Sequence, residues 1–373
     1  MPLVDLTAPA GVVTEITDYQ AGLRYTSADK VRFKYDQAEK IGGWKKRDSS
    51  TSAMSGVPRN IFPHRDKDGR KMVLFGTSTH VYCEQGGVIQ DVTPYKTANV
   101  NLTNPFTTGT AGSSVVTVTD ASNTIAQTTP PSRIIISSIA SGTVDGVTIT
   151  AGEYLATYVS ATQYTLTAVA GTGASISGTA SSGSTTGGGA VVLRYLVSNG
   201  PSDGLTGFGF GTGLWSSSTW GTARSTSGVV LSPRVWTMDA WGEDILASIG
   251  GGEDTLYYFD VSAFIAAPTT YRGETLAQYV TSVGGDASAI PTKVGVVLVS
   301  TPDRHVVVFG SNPEGSATYD RMTVRWCSQE SLSDWNTQIT NTAGATRLGT
   351  GTNIESAAKA RGQMVLWTDV DMY

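Results

Sequence analysis

Histidine and cysteine are scarce in this chain of 373 residues, which carries three of the first and two of the second. His64, His80 and His305 stand far apart, with no HExxH and no Cys/His cluster, which excludes a zinc centre of the usual spacings. His80 and His305 lie at strand edges in equivalent neighbourhoods of a repeat, where a structural role is expected. Cys83 and Cys327 fall in strand-like runs, HVYC and VRWC, with no CxxC. Buried free thiols are therefore expected, and a disulfide scaffold is excluded. Charge is also thin: only 15% of residues are charged and the formal net charge is −5. Such a balance excludes a surface that grips nucleic acid by neutralising phosphates. No apolar run reaches the ~20 residues needed to cross a bilayer. The start, MPLVDLTAPAGVVTEITDY, lacks the basic residues and unbroken apolar stretch of a signal peptide. A soluble protein without membrane insertion is expected.

Motifs for chemistry are equally sparse. The run Gly207 to Gly213, GFGFGTG, has neither GxGxxG spacing nor the Lys-Ser/Thr of a phosphate loop, and reads as a Gly/aromatic loop. Asp66-Lys67-Asp68-Gly69 opens like a calcium loop but lacks the later ligands, and reads as a turn before a strand. Carboxylates are numerous, yet nothing singles out a glycosidase pair. The sequence points to no catalytic residue, no cofactor and no metal, and an enzyme is not expected.

What the chain has is glycine, 43 residues of it, and Val/Ile/Tyr/Trp-rich runs separated by turn residues. That combination predicts an all-β fold. Four stretches share one form: Gly69 to Cys83 (GRKMVLFGTSTHVYC), Glu243 to Phe259 (EDILASIGGGEDTLYYF), Arg304 to Trp326 (RHVVVFGSNPEGSATYDRMTVRW) and Gly362 to Tyr373 (GQMVLWTDVDMY). Each is an apolar strand, a polar turn and a second strand carrying an aromatic or Met. The last three recur at a period of about sixty residues, which suggests β-propeller blades that bury their faces against one another.

The longer first interval implies an insertion. From Asn104 to Tyr195 the composition turns to Ser, Thr, Ala and Gly, with alternating runs such as SSVVTVTD, RIIISSI and QYTLTAV. A small β-sandwich or barrel is expected there. Within it, Gly171 to Ala190 reads either as a linker or as a long hairpin. The expected organisation is an N-terminal segment and first blade over 1–103, the inserted domain over 104–195, and further blades over 196–373.

Three parts of the chain carry a resemblance. Ala28 to Lys46, ADKVRFKYDQAEKIGGWKK, sets a strand with Val31, Arg32 and Phe33 before a turn and a Gly42-Gly43-Trp44. It is followed by the hairpin RKMVLFGTSTHVYCEQGGVIQDVTP. Later come LVSNGPSDGLTGFGFGTGLWSSSTWG and a closing stretch with Arg325, Trp326, Asp334, Trp335 and Trp367. In this order the chain resembles the tail nozzle, or packaged-DNA stabilisation, proteins of short-tailed bacteriophages.

The resemblance implies a structural subunit of a six-fold ring. The ring lies below portal and adaptor (head-to-tail connector) proteins, meets tail fibre or needle proteins, and has a channel through which double-stranded DNA passes without sequence preference. The implied location is the tail of the virion, after assembly in the host cytoplasm. Low charge suits that duty, since a channel that bound phosphates tightly would stall a moving duplex. Family members continue beyond the stretch matching VLWTDVDMY; here either the N-terminal strands complete the last blade or something else closes it. The alternative from composition is a receptor- or carbohydrate-binding tail protein, suggested by Trp, Tyr and the Ser/Thr/Gly-rich insert.

Overall fold

In the computed structural model, residues 9–22, 24–41, 54–125, 132–197, 205–206, 230–231, 234–252 and 254–373 are described. The chain divides into two compact units, Met1–Thr51 and Ser52–Tyr373. In the smaller unit Val31–Lys34 and Gln37–Lys40 form a hairpin. Its turn residues Tyr35 and Asp36 both have positive φ, 50° and 60°, the backbone that matches a tight turn to the right-handed strand twist. Phe33 packs on Tyr25 at 5.4 Å between ring centroids, and Arg32 pairs with Glu39 across the hairpin at 2.9 Å.

The larger unit is nearly all β, and two kinds of sheet make up most of it. Three are four-stranded, antiparallel and built from consecutive strands. The first comprises Pro58–Arg65, Lys71–Thr77, Val81–Gln85 and Val88–Asp91; the second Thr237–Trp241, Asp244–Ser248, Tyr257–Phe259 and Glu274–Thr275; the third Val294–Val299, Val306–Ser311, Asp320–Trp326 and Gly344–Arg347. A final hairpin pairs Ile354–Ala360 with Gln363–Thr368. The hairpins expected at Gly69, Glu243 and Arg304 are the two middle strands of these sheets. The one expected at Gly362 is half as complete: beyond Gln363–Thr368 only a single bridge, Trp367 to Met372, continues it.

The sheets stack because their strands are apolar on both faces. In Asp244–Ser248, Ile245 and Ala247 enter a core with Met72, Leu74, Val81 and Cys83 of the first sheet. Leu246, between them, enters a different core with Val294, Val297 and Val308 of the third. The third sheet repeats the division: Val306 and Val308 face back to the second sheet, while Phe309, with Val307 packed beside it, meets Val324, Ile354 and Leu366 around the last hairpin. Side chains two apart share a face, so a strand buried on both sides reads as a continuous apolar run. The leading strand of each sheet also packs on the leading strand of the next, from Pro58–Arg65 through Thr237–Trp241 and Val294–Val299 to Ile354–Ala360. Gly76 is required at the first junction, where a Cβ would lie 2.5 Å from the Trp236 ring. Trp236 Nε1 then donates to the Thr77 carbonyl at 3.2 Å.

The other architecture is an eight-stranded, nearly closed barrel-like sheet. Its strands run from Val100–Thr103 to Ala190–Tyr195 in sequence. Closure depends on one bent ribbon. Val100–Thr103 pairs with Ala190–Tyr195, but two residues later the same chain, as Phe106–Thr108, pairs with Thr186–Gly187 and passes to the opposite edge of the sheet. The bend lies at Asn104 (φ 49°) opposite Gly188 and Gly189 (φ 112° and 62°), and Asn104 N–H donates to the Gly189 carbonyl at 2.7 Å. A Cβ on Gly188 would meet the Phe106 ring at 2.5 Å. Inside, Phe106, Val118, Ile134, Ile136, Tyr154, Tyr164 and Leu193 fill the barrel. A buried polar cluster adds to them: Tyr195 Oη donates to Asp120 Oδ2, and Tyr164 Oη lies 3.3 Å from the same hydroxyl.

The tract Gly171 to Ala190 is not a free linker. It is built into the insert, because the Asp145 carboxylate accepts from Ser182 Oγ at 2.8 Å and from Gly183 N at 2.7 Å, while Ile176–Ser177 pairs with Val147–Ile149. These bonds hold the Asp145 carboxyl below its usual range, the backbone donors of Ser182 and Gly183 first. Among the described residues no helix is long and apolar enough to cross a membrane.

Candidate functional site

A cleft lined by charged side chains lies where the barrel meets the sheets. On the barrel, Ser132–Ile139 and Gly152–Ser160 pair so that Arg133 is opposite Leu155 and Ile135 opposite Glu153. Their neighbours Ile134 and Tyr154 point into the barrel core, so alternation turns Arg133, Ile135, Glu153 and Leu155 outward. Facing them are His80, Tyr82 and Asp91 of the first sheet, and Arg272 from the loop before Glu274–Thr275. Together they line a cleft of about 670 Å³.

The charges in the cleft form one network. Arg133 contacts both His80 Nε2 and Glu153 Oε1. Arg272 Nη1 lies 2.6 Å from Asp91 Oδ2, and its Nη2 lies 3.8 Å from Glu153 Oε2. Two guanidinium groups and two carboxylates cancel. Not all contacts are directed, however: Glu153 Oε1 and Arg272 Nη1 are buried and make no aligned hydrogen bond, although both lie within ion-pair distance of a partner. Coulomb attraction tolerates that misalignment, so both atoms are held by the opposite charge beside them more than by a directed hydrogen bond.

Burial governs the protonation states. His80, stacked on Tyr82 at 5.1 Å, has its pKa lowered from 6.5 to about 4, first by burial and then by the Arg133 charge. A guanidinium only donates, so His80 Nε2 must be the acceptor, and Nδ1 carries the proton that it donates to Thr79 Oγ1 at 2.7 Å. The lone pair a general base would use is thus covered. Burial raises Glu153, with Arg133 and Arg272 opposing. Burial also pushes Asp91 upward, but Arg272 and the two bonds from Thr93 outweigh it and hold the carboxyl below its usual value.

The residues singled out by sequence are dispersed. Val31, Arg32 and Phe33 belong to the smaller unit's hairpin, and Gly42, Gly43 and Trp44 lie outside the described residues, as does the Gly207 to Gly213 loop. Arg325, Trp326, Asp334 and Trp335 do come together, as a brace for the third sheet. Arg325 is buried and donates to the carbonyls of Ala289 at 2.9 Å and Trp335 at 3.3 Å. Trp335 Nε1 donates to Leu332 O at 2.9 Å, Trp326 Nε1 to Thr342 O at 2.9 Å, and Asp334 accepts from Asn341 Nδ2 at 2.9 Å. Trp367 is half-exposed on the last hairpin.

His64 Nε2 lies 2.8 Å from the Glu243 carbonyl, and His305 Nδ1 2.8 Å from the Cys327 carbonyl, so both bind backbone. Cys83 and Cys327 are buried free thiols, each raised to about 12 by burial. The Asp66 carboxylate accepts from Arg70 N at 2.7 Å and Nε at 2.6 Å, closing the turn that the sequence suggests. Gly200 to Gly204 reads GPSDG, the Gly-x-Ser-x-Gly spacing of an activated serine, and lies outside the described residues. Among the described residues no group of three His, Cys, Asp or Glu is placed to hold a metal ion.

The cleft itself has no motif in the sequence. A signal was nevertheless there: between Asn104 and Tyr195 the charged residues are only Asp120, Arg133, Asp145, Glu153 and Arg194, and three of them, Arg133, Glu153 and Arg194, interrupt apolar strands. No protein-family model, curated protein or solved structure matches the chain.

Proposed function

We propose that this chain is a structural subunit of the tail nozzle of a short-tailed bacteriophage, a wall element of a ring through which the genome passes. On this reading its serial sheets are blades of a β-propeller, six copies surround the channel, adaptor proteins lie above, and fibre or needle proteins attach to it. The observation that carries the reading is the serial stack: consecutive four-stranded sheets share cores face to face and touch through their leading strands. Stacking of that kind makes a stiff wall without reactive side chains. The buried Arg325 brace, which lies in the closing stretch that carries the resemblance, serves the same end.

The test is the mass of the purified assembly, alone and mixed with the adaptor ring, together with electron microscopy of virions. A six-copy ring on the tail axis is expected. A chain that stays monomeric in both conditions, or that maps away from the tail axis, rejects the proposal. A second reading, a receptor- or carbohydrate-binding tail protein, draws on one feature, the cleft between barrel and first sheet.

A further inference from the structure

We propose that copies of this chain join head to tail through the two ends of the sheet stack, the outer face of the last hairpin in one copy seated on the outer face of the first sheet in the next. The inference rests on the stacked sheets and not on the nozzle reading, to which it adds the surfaces that meet.

At each junction inside the chain one sheet presents an apolar face forward and the following one presents an apolar face back. Leu246 shares a core with Val297 in this way, and Phe309 with Leu366. The first sheet keeps a backward face that no internal junction uses. Register sets Ile61 opposite Phe75 and Pro63 opposite Val73 on that face, while their neighbours Phe62, Met72 and Leu74 turn into the core shared with the second sheet. Ile61 is 62% exposed, and Val73 and Phe75 are half-buried. The last hairpin keeps the corresponding forward face. There Trp367 lies opposite Ser356 and Val365 opposite Ala358, and the bridge from Trp367 sets Met372 beside it. Their neighbours Leu366, Met364 and Ala357 turn into the core with the third sheet. Trp367 is 40% exposed and Met372 66%. Among the described residues none of these end-face side chains enters one of the four cores.

The repeat itself names the occupant. Each end is an antiparallel sheet face with uncharged rows of side chains, the chemistry that three junctions within the chain already pair face to face. The forward face of the hairpin thus has its complement on the backward face of the first sheet, and a second copy supplies both. Trp and Met are also enriched where proteins meet. Because the two ends differ, the contact is head to tail, and it closes as a ring or continues as a filament according to its rotation.

Sedimentation velocity and light scattering on the whole chain test the proposal. Ile61→Arg and Trp367→Arg each place a charge in one end face, and both side chains lie outside the cores. The parent chain should associate, and each variant alone should associate at least about tenfold more weakly. Each variant keeps one intact end, so an equal mixture should recover a dimer and nothing larger. Circular dichroism checks folding, and if Trp367→Arg unfolds, Met372→Arg on the same face replaces it. A contact between like ends would respond to one substitution and ignore the other, which overturns the proposal. It is also overturned by a parent chain that stays monomeric up to about 100 μM, by association that survives both substitutions, or by a mixture that stays monomeric. A six-copy ring that survives both substitutions overturns this inference and leaves the nozzle reading standing. An assembly that either substitution dissolves, but that maps away from the tail axis, does the reverse.

Discussion

His80 is neutral because burial strips the water that would solvate its charge and because Arg133 sets a positive group against it. Tyr82, Asp91 and Arg272 complete its surroundings, and of these only Asp91 favours the charged ring. The unfolded chain therefore takes up a proton near pH 6.5, while the folded one resists until about pH 4. Between those values the unfolded state binds more protons, so stability is fully present above pH 6.5 and is lost as the pH falls toward 4. The loss is roughly 3 kcal/mol at about 1.4 kcal/mol per unit of pKa. Glu153 works in the opposite direction, since a raised carboxyl gains protons on folding and favours the folded state as pH falls. Denaturant midpoints measured across pH 4 to 7 should drop on the acid side, and His80→Gln should flatten the drop. An unchanged slope in the variant would sink the assignment. At this scale the sequence showed that histidine is rare but not which histidine is buried against arginine, because that partner is supplied by another sheet.

Asp239, in the leading strand of the second sheet, joins three elements. Its carboxylate accepts from Val299 N of the third sheet at 2.6 Å and from Lys359 Nζ of the last hairpin at 2.7 Å. Asp239→Ala leaves the Val299 amide without an acceptor inside a junction between sheets, which should cost about 1–3 kcal/mol. Lys359 is one-third exposed and recovers most of its hydration, so its lost pairing adds little. Asp239→Asn keeps an oxygen for Val299 and should cost less. Chemical denaturation of the two variants checks this, and equal costs would show that the junction does not depend on that bond. Strands were the most legible elements, because burial on both faces writes an unbroken apolar run such as KMVLF or VVVF into the chain. The short strand Glu274–Thr275 and the helix that follows it, Leu276–Ser282, capped by Thr275 with Gln278, carry no such run and went unforeseen.

Among the described residues the barrel and the sheets share no hydrophobic core; the barrel residues form one cluster, and the stacked sheets form three others. What joins them is the charged cleft and a stem in which Tyr95 and Leu196 bridge and Lys96 N donates to Tyr195 O at 2.8 Å. Because the stem ends lie side by side, replacing residues 98–193 with a short Gly/Ser turn should leave the sheets with a cooperative unfolding transition of their own. Calorimetry of the excised chain tests this, and loss of any cooperative transition contradicts it. Excision also removes Arg133, so the acid sensitivity assigned to His80 should weaken in the same protein.

Composition and alternation alone determined that this chain is built of strands, that it contains a sixty-residue rhythm, and that a sparsely charged β insert interrupts it. These are local properties: turn residues, period two and apolar runs act within a few neighbours. Only the tertiary structure decided that the insert curls into a nearly closed barrel through a bend at Asn104 and Gly188, and that Arg133 and Glu153 meet Arg272, Asp91 and His80. Those partners are far apart in sequence. Their pairing depends on strand register and on which outer face of the barrel turns toward the sheets, and neither is encoded in any short stretch of chain.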